Sequence, residues 1–346
     1  MASLRVAIVG CGFVSRHHLR AWRSLQNIAL VAVCDRDRAA AERRAAEFEV
    51  PAVHTDLVEM LDAARPDVLD IATPPTTHLP FIREAAARGI PVLCQKPLAP
   101  TLDEAREIVR VAEVANLRIM VHENWRWRPW FREIERLLRA GAIGAPFYAS
   151  LDRRHAGAVT THDFPDRPSS LARQPFMATM PRMVIYESLI HPLDVCRFLF
   201  GEPRSVCAQT RHVSPLVVGE DLALIVLNFD HLTARVEQSL ASRGYPTPVL
   251  SEVAAIEGER GTIFLDRDGR VRVVVDTPAE QRKFEAFAPA GDAYQAGYTA
   301  CIAHFVECLR SGAPFETPPR ENLKTLQLVF AAYESAERNQ VVLIDR

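Results

Sequence analysis

The strongest constraint on this chain is the regular alternation of strand-like and helix-like segments through its first 122 residues. Residues 5–9 (RVAIV) are a short β-type run that ends in Gly10-Cys11-Gly12, and 15–24 suit a helix. The run 29–35 is almost continuously apolar, the pattern of a parallel strand covered on both faces. Residues 37–48, rich in Ala, Arg and Glu, read as an exposed crossover helix. Val53 reads as a short third strand and 57–64 as the next helix. A strand over 68–73 stops at Pro74 and Pro75, and helix resumes over 78–88 until Gly89. Then come a strand at 91–97, a helix at 101–116 with Thr101 and Glu104 in capping-box spacing, and a strand at 118–121. This rhythm specifies an α/β domain over residues 1–122, built on a doubly wound parallel sheet.

From residue 123 the rhythm changes. Residues 127–140 suit helix and 147–155 strand, whereas 156–181 mix Pro, Gly, Thr, Asp and Met without periodicity. A helix is expected over 182–200, then strands at 204–212, 221–229, 232–241, 250–257, 261–265 and 270–275. Asp268-Gly269 supplies the turn of a hairpin over 261–271. Helix returns at 293–311 and 319–338. Residues 123–346 therefore predict a C-terminal α+β domain on a large, mainly antiparallel sheet. A length of 346 residues fits two domains at roughly 150 residues each.

Composition narrows the function classes. The 41 basic and 43 acidic side chains leave a net charge of −2, which argues against a nucleic-acid partner. The apolar stretch 28–34 is too short to cross a membrane, and 6–9 is too short for a signal-peptide core. The seven cysteines include no Cys-x-x-Cys pair and lie mostly in apolar runs, which suits reduced thiols in a cytoplasmic protein. Lysine occurs only at 96, 283 and 324, so each one stands out among the arginines.

The glycine turn has a physical role at the end of a first strand. Gly10 permits the tight turn and Gly12 a close approach by a pyrophosphate, with Phe13 and Val14 opening the helix whose N–H groups would face it. Asp35 ends the second strand, where a carboxylate accepts hydrogen bonds from an adenosine ribose and repels a 2′-phosphate, favouring NAD. Arg36 and Arg38 pull towards NADP. Further polar signals fall at the carboxyl ends of later strands: Thr73-Pro74-Pro75 with His78, then Gln95-Lys96-Pro97. Two more follow, Glu123-Asn124-Trp125-Arg126-Trp127-Arg128-Pro129 and Glu187-x-x-x-His191-x-x-Asp194.

In this order and spacing the motifs resemble the family of glucose-fructose oxidoreductase, inositol dehydrogenase and the rhizopine-catabolism protein, Gfo/Idh/MocA, over nearly the whole chain. The resemblance implies an NAD(P)-dependent dehydrogenase of sugars or polyols that assembles as a homodimer or homotetramer. Its glycine pair corresponds to Gly10 and Gly12, the histidine closing that motif to His18, and its strand-terminal acid to Asp35. Its glutamate-lysine-proline triplet corresponds to Gln95-Lys96-Pro97, with a catalytic lysine and a proline often in a cis bond. Its catalytic acid and histidine correspond to Glu187 and His191, and the aspartate beyond them to Asp194. Three positions depart from the pattern: Ser15 for a small glycine, Gln95 for glutamate and Glu187 for aspartate.

Chemistry alone supports these assignments. Oxidising an alcohol requires a base for the hydroxyl proton, and histidine titrates in the right range. His191 is that base, Lys96 the stabiliser of developing negative charge, and Glu187 the group that orients the imidazole if both lie on one helical turn. Pro192 either interrupts that helix or begins a new one. Cofactor contacts are expected from Gly10, Gly12, Phe13, Val14, Asp35, Arg36, Thr73, Pro74, Pro75, His78, Gln95 and Lys96. Substrate contacts are expected from Asn124, Trp125, Arg126, His155 and Asp194. Arg126, Arg128, Arg153, Arg154, Arg173 and Arg182 offer partners for an acidic group, or simply surface charge. No metal is expected, because His155, His162, His191 and Glu187 form no compact ligand motif. The competing readings are an NADPH-dependent carbonyl reductase and a non-catalytic dinucleotide sensor. Gln95 favours the sensor, and intact Lys96 and His191 oppose it.

Overall fold

The computed structural model describes residues 3–245 and 252–344. The chain forms two compact units, Met1–Asn124 with Gln295–Leu326, and Trp125–Tyr294 with Gln327–Arg346. The first crossing falls just past the expected boundary. The second corrects the single cut at 123, because the chain returns and gives a late helical stretch to the first unit. Helical periodicity locates a helix without saying which sheet it covers.

The first unit contains β1 (Leu4–Val9), α1 (Ser15–Ser24), β2 (Ile28–Cys34), α2 (Arg38–Phe48), β3 (Val53–His54), α3 (Leu57–Ala64) and β4 (Val68–Ile71). It continues with α4 (His78–Arg88), β5 (Val92–Gln95), α5 (Leu102–Val114) and β6 (Ile119–His122). All six strands are parallel, in the order β3-β2-β1-β4-β5-β6. Strands β4, β5 and the edge strand β6 are buried along their whole length, which is why their sequences do not alternate. Local chemistry sets the helix ends. The side chains of Asp37, Asp56 and Thr101 accept backbone N–H groups at the starts of α2, α3 and α5. Gly89 closes α4 in the left-handed conformation at φ 64°. The returning segment packs on β6, where Val121 and Thr317 exchange two hydrogen bonds.

The second unit contains α6 (Pro129–Arg139), β7 (Pro146–Arg154), α7 (Ser169–Arg173) and a π-helix (Val184–Leu189) that runs into α8 (Ile190–Phe200). Seven strands follow: β8 (Ser205–Arg211), β9 (Leu222–Asn228), β10 (Thr233–Ser239), β11 (Glu252–Gly258), β12 (Gly261–Leu265), β13 (Val271–Thr277) and β14 (Glu280–Phe287). Then come α9 (Ala293–Ser311) and α10 (Pro319–Arg338), each shared between the units, and β15 (Val342–Leu343). The sheet has nine strands in the order β14-β13-β12-β11-β7-β10-β9-β8-β15, antiparallel except for the parallel pair β7 and β10. The expected hairpin is present, with Gly269 at φ 82° in the turn between β12 and β13. Two residues of the expected strand over 250–257, 250 and 251, lie outside the described residues.

Two departures bear on function. The region 182–200 is not one α-helix, because the backbone is π-wound through Glu187 and turns α-helical only at Ile190. A distant carboxylate holds that segment: Glu220 accepts the N–H groups of Met183 and Ile185 and the hydroxyl of Tyr333. Register also draws a row across the sheet, in which Gln238 on β10 and Glu252 on β11 flank Arg153 on β7. Among the described residues no helix is long and apolar enough to cross a membrane.

Candidate active site

In the first unit the glycine turn is built as a cradle. Gly10 has φ 97°, and a Cβ there would stand 2.6 Å from the carbonyl of Ala72, so only glycine fits. A Cβ at Gly12 would meet nothing within 4 Å, leaving open space in front of the turn. No side chain caps α1 and its first turn holds no acidic residue, so its N-terminus suits an anion. Val14 occupies the position before the helix and Phe13 is partly exposed. Ser15 folds back, its hydroxyl donating to the Gly12 carbonyl at 2.8 Å, which explains why the departure from glycine is accommodated. Asp35 accepts the N–H of Cys11 at 2.7 Å and of Asp37 at 2.9 Å, one on each oxygen. Each oxygen keeps a lone-pair direction for a ribose hydroxyl. Burial, with Asp35 and Cys34 nearby, pushes the Cys11 thiol up to about 12, so it stays protonated beside the turn. These features fit a dinucleotide. Arg36 is exposed next to Asp35.

At the ends of β4 and β5 the expected residues brace one another. Pro75 opens a short 3-10 turn, Pro75–Thr77, and the Thr77 hydroxyl donates to the Thr73 hydroxyl at 2.7 Å. Pro74 supplies a carbonyl to the same Thr77 hydroxyl. His78 is fully buried and spans the Thr73 carbonyl at 2.9 Å and the Leu98 carbonyl at 3.0 Å, tying the two loops together. Burial lowers its pKa against the pull of those carbonyls. His78 thus acts on loop shape rather than as an exposed cofactor ligand. Gln95 is also buried, and its amide is engaged by His18 and by the backbone N–H of Lys96. The Lys96–Pro97 peptide is cis, and Lys96 is half-buried. Asn124, the last residue of the first unit before the crossing, is buried with Nδ2 unpartnered among the described residues.

In the second unit the π-helix and α8 present the expected pair. His191 stacks on Trp125 with centroids 4.9 Å apart and planes 2° from parallel, and Pro192 sits in the first turn of α8. The π-winding at Glu187 means that simple four-residue helical spacing does not describe its relation to His191. The Arg128 guanidinium lies 3.8 Å over the same Trp125 ring and pairs with Glu252. Arg126 and Asp194, both expected to hold substrate, face each other in a buried bidentate pair at 2.8 and 2.7 Å. Arg154 likewise pairs with Glu237, and Arg182 with Glu337. His162 is exposed beside Asp163.

Beside this pair, the face of β7 and β10 carries polar groups that sequence reasoning missed or left open. The Ser188 hydroxyl accepts from Arg153 at 3.0 Å and from the Gln238 amide at 2.7 Å. Gln238 is fully buried, and its Oε1 has no partner among the described residues. The same holds for Nε2 of His155, which is 4% exposed. Each such orphan costs about 1–3 kcal/mol until something bonds to it. Burial, then Arg153 and Arg173, push His155 well below its ordinary pKa, so it stands neutral at pH 7. Burial also brings Arg153 down to about 10, where it remains a cation at that pH. The set supplies hydrogen-bond donors and acceptors together, which is what adjacent hydroxyl groups require. Among the described residues no group of three or more His, Cys, Asp or Glu is arranged to hold a metal ion.

Comparison with known proteins bears on both units. Residues 4–123 match the family model described as the Gfo/Idh/MocA oxidoreductase family, NAD-binding Rossmann fold, and 131–264 match the Gfo/Idh/MocA C-terminal domain. The chain is 36% identical over 343 residues to D-apiose dehydrogenase of Paraburkholderia graminis, covering 97% of this chain and 88% of that protein. It is 32% identical to D-apiose dehydrogenase of Rhizobium rhizogenes, covering 99% and 98%. Among solved structures, an Agrobacterium radiobacter oxidoreductase in complex with NAD+, L-tartaric acid and magnesium superposes with TM-score 0.90 at 31% identity, covering 99% of each chain.

Proposed function

The chain belongs to the Gfo/Idh/MocA family of oxidoreductases with an NAD-binding Rossmann fold, and from that premise we propose an NAD-dependent dehydrogenase of a monosaccharide or polyol. The observation that carries the substrate class is a pair of buried polar atoms without a partner among the described residues, His155 Nε2 and Gln238 Oε1, beside the Arg153–Ser188 contact. A polyhydroxy compound completes such a set, and an apolar one leaves it unsatisfied.

The roles follow from the groups. His191 removes the hydroxyl proton of the substrate, with its ring plane fixed by stacking on Trp125. Lys96 holds the oxygen as negative charge develops on it. Glu187 orients the imidazole. A bound nicotinamide would supply the acceptor for the hydride that leaves the same carbon as the carbonyl forms. Asp35 receives the ribose hydroxyls and disfavours a 2′-phosphate, so NAD is preferred over NADP despite the neighbouring Arg36. The homo-oligomer expected from the family and a cytoplasmic location belong to the same proposal.

The test is an absorbance assay for the reduced cofactor with NAD or NADP and a panel of aldoses, polyols and sugar acids. D-apiose heads the panel, because the relatives named above are called its dehydrogenases. Turnover with NAD on a polyhydroxy compound is expected. Tight NAD binding with no turnover across the panel would favour a sensor.

A further inference from the structure

Behind the cradle, a hydrogen-bonded line runs from the sheet to the backbone of Lys96. Asp70, fully buried on β4, accepts the indole N–H of Trp22 at 2.7 Å and contacts Nδ1 of His18 at 2.8 Å. His18 Nε2 lies 2.9 Å from the Gln95 amide nitrogen, and Gln95 Oε1 accepts the Lys96 N–H at 2.7 Å. His18 is fully buried, with the rings of His122 and Tyr298 at 4.2 and 5.7 Å.

The ends of the line decide where its protons are. A backbone N–H only donates, so Gln95 must give Lys96 its oxygen and turn its NH2 towards His18. Nε2 of His18 therefore accepts, and the ring proton sits on Nδ1, where the Asp70 carboxylate receives it. Every member is satisfied, with the negative charge on Asp70. A glutamate at position 95, as in the family pattern, would demand the opposite of His18, because its carboxylate needs a donor at Nε2.

We propose that Asp70 and His18 are positioning residues for Lys96, acting through the Gln95 amide, and that glutamine at 95 is matched to the Nδ1-protonated tautomer of His18. The inference rests on the reading that Lys96 works at the reacting hydroxyl.

Reversing the line tests it. Trp22 and His18 Nδ1 share one Asp70 oxygen, and the second oxygen lies 3.1 Å from Nδ1. In Asp70→Asn the oxygen stays on Trp22 and the NH2 takes the second place, so Nδ1 loses its charged acceptor, faces a donor, and the Nε2 tautomer gains ground. In that tautomer Gln95 has to flip, and two donors meet at the Lys96 N–H. Turnover should fall about tenfold while the NAD dissociation constant changes by less than about twofold. Adding Gln95→Glu supplies an acceptor for both His18 Nε2–H and the Lys96 N–H at unchanged total charge. The double variant should recover kcat to within about threefold of wild type. NMR of protein labelled at the histidine nitrogens should show His18 protonated at Nδ1 in wild type and at Nε2 in the double variant.

Wild-type His18 protonated at Nε2, undiminished kcat in Asp70→Asn, or a double variant no faster than Asp70→Asn would each overturn the proposal. The wild-type spectrum decides even if the variants fail to fold. Lys96→Met separates the two layers: full turnover there removes the functional reading of Lys96, whereas a dead Lys96→Met with an unaffected Asp70→Asn removes only the positioning role.

Discussion

At the carboxyl ends of β4 and β5, polar side chains are paired with one another: His78 spans two carbonyls, Thr77 bonds Thr73, and Gln95 joins His18 to the Lys96 backbone. On the face of β7 and β10, by contrast, His155 Nε2 and Gln238 Oε1 are buried with no partner among the described residues. The first region holds its geometry before any ligand arrives. Under the proposed function the second is completed by the substrate. That division suits a dehydrogenase, in which one cofactor site serves a chemistry common to many substrates and a separate set of groups selects one of them.

The largest effect that could break this comparison is at Lys96. Lys96→Met should cut kcat by about 10²–10⁴-fold with NAD affinity nearly unchanged, measured by steady-state kinetics beside a cofactor titration. Equal losses in both would mean that the two regions are not separable. On the open side, Gln238→Leu removes an acceptor that no group among the described residues uses, so the expected outcome is a rise of about 10–100-fold in KM for the sugar. Its melting temperature should barely move, and a large drop would show the atom to be structural instead. Asp35→Ala should weaken NAD about tenfold and narrow its advantage over NADP, read from paired binding titrations.

Protonation gives a smaller, global effect. His78, His122 and His155 all have pKa values lowered chiefly by burial, so the unfolded chain binds more protons than the native one at mildly acidic pH. Stability should therefore be fully present above about pH 6.5, the ordinary histidine value, and be lost progressively below it. Urea midpoints across that range check the sign, and His155→Gln should flatten the slope. Smallest of all, Thr101→Ala should cost about 1 kcal/mol through loss of the α5 cap, leaving both sites intact.

The same comparison explains what the sequence made legible. In the first unit the informative contacts are local: a turn after a strand, a cap three residues before the N–H that donates to it, a proline pair stopping β4. Those were readable, as were helices 15–24, 57–64, 78–88, 293–311 and 319–338. The partners that matter elsewhere are distant in the chain. Arg126 and its carboxylate partner Asp194 are 68 residues apart, so no local pattern joins them. The π-winding at Glu187 depends on Glu220 and Tyr333, and no periodicity near residue 187 encodes them. Gln238 and Ser188 became visible only once register set β10 beside β7. Strand β14 escaped notice because its residues 280–283 are exposed and polar at the edge of the sheet, so no apolar alternation marks it.

Transfer of isotope in a single turnover tests the central claim most directly. The sugar or polyol found active would carry deuterium at the carbon to be oxidised and be mixed with NAD and excess enzyme. Deuterium is expected in the reduced cofactor, at a rate about 10²–10⁴-fold lower in His191→Asn, whose side chain keeps a hydrogen-bonding shape without a base near neutrality. Reduced cofactor without deuterium, or an undiminished rate in His191→Asn, would contradict the account.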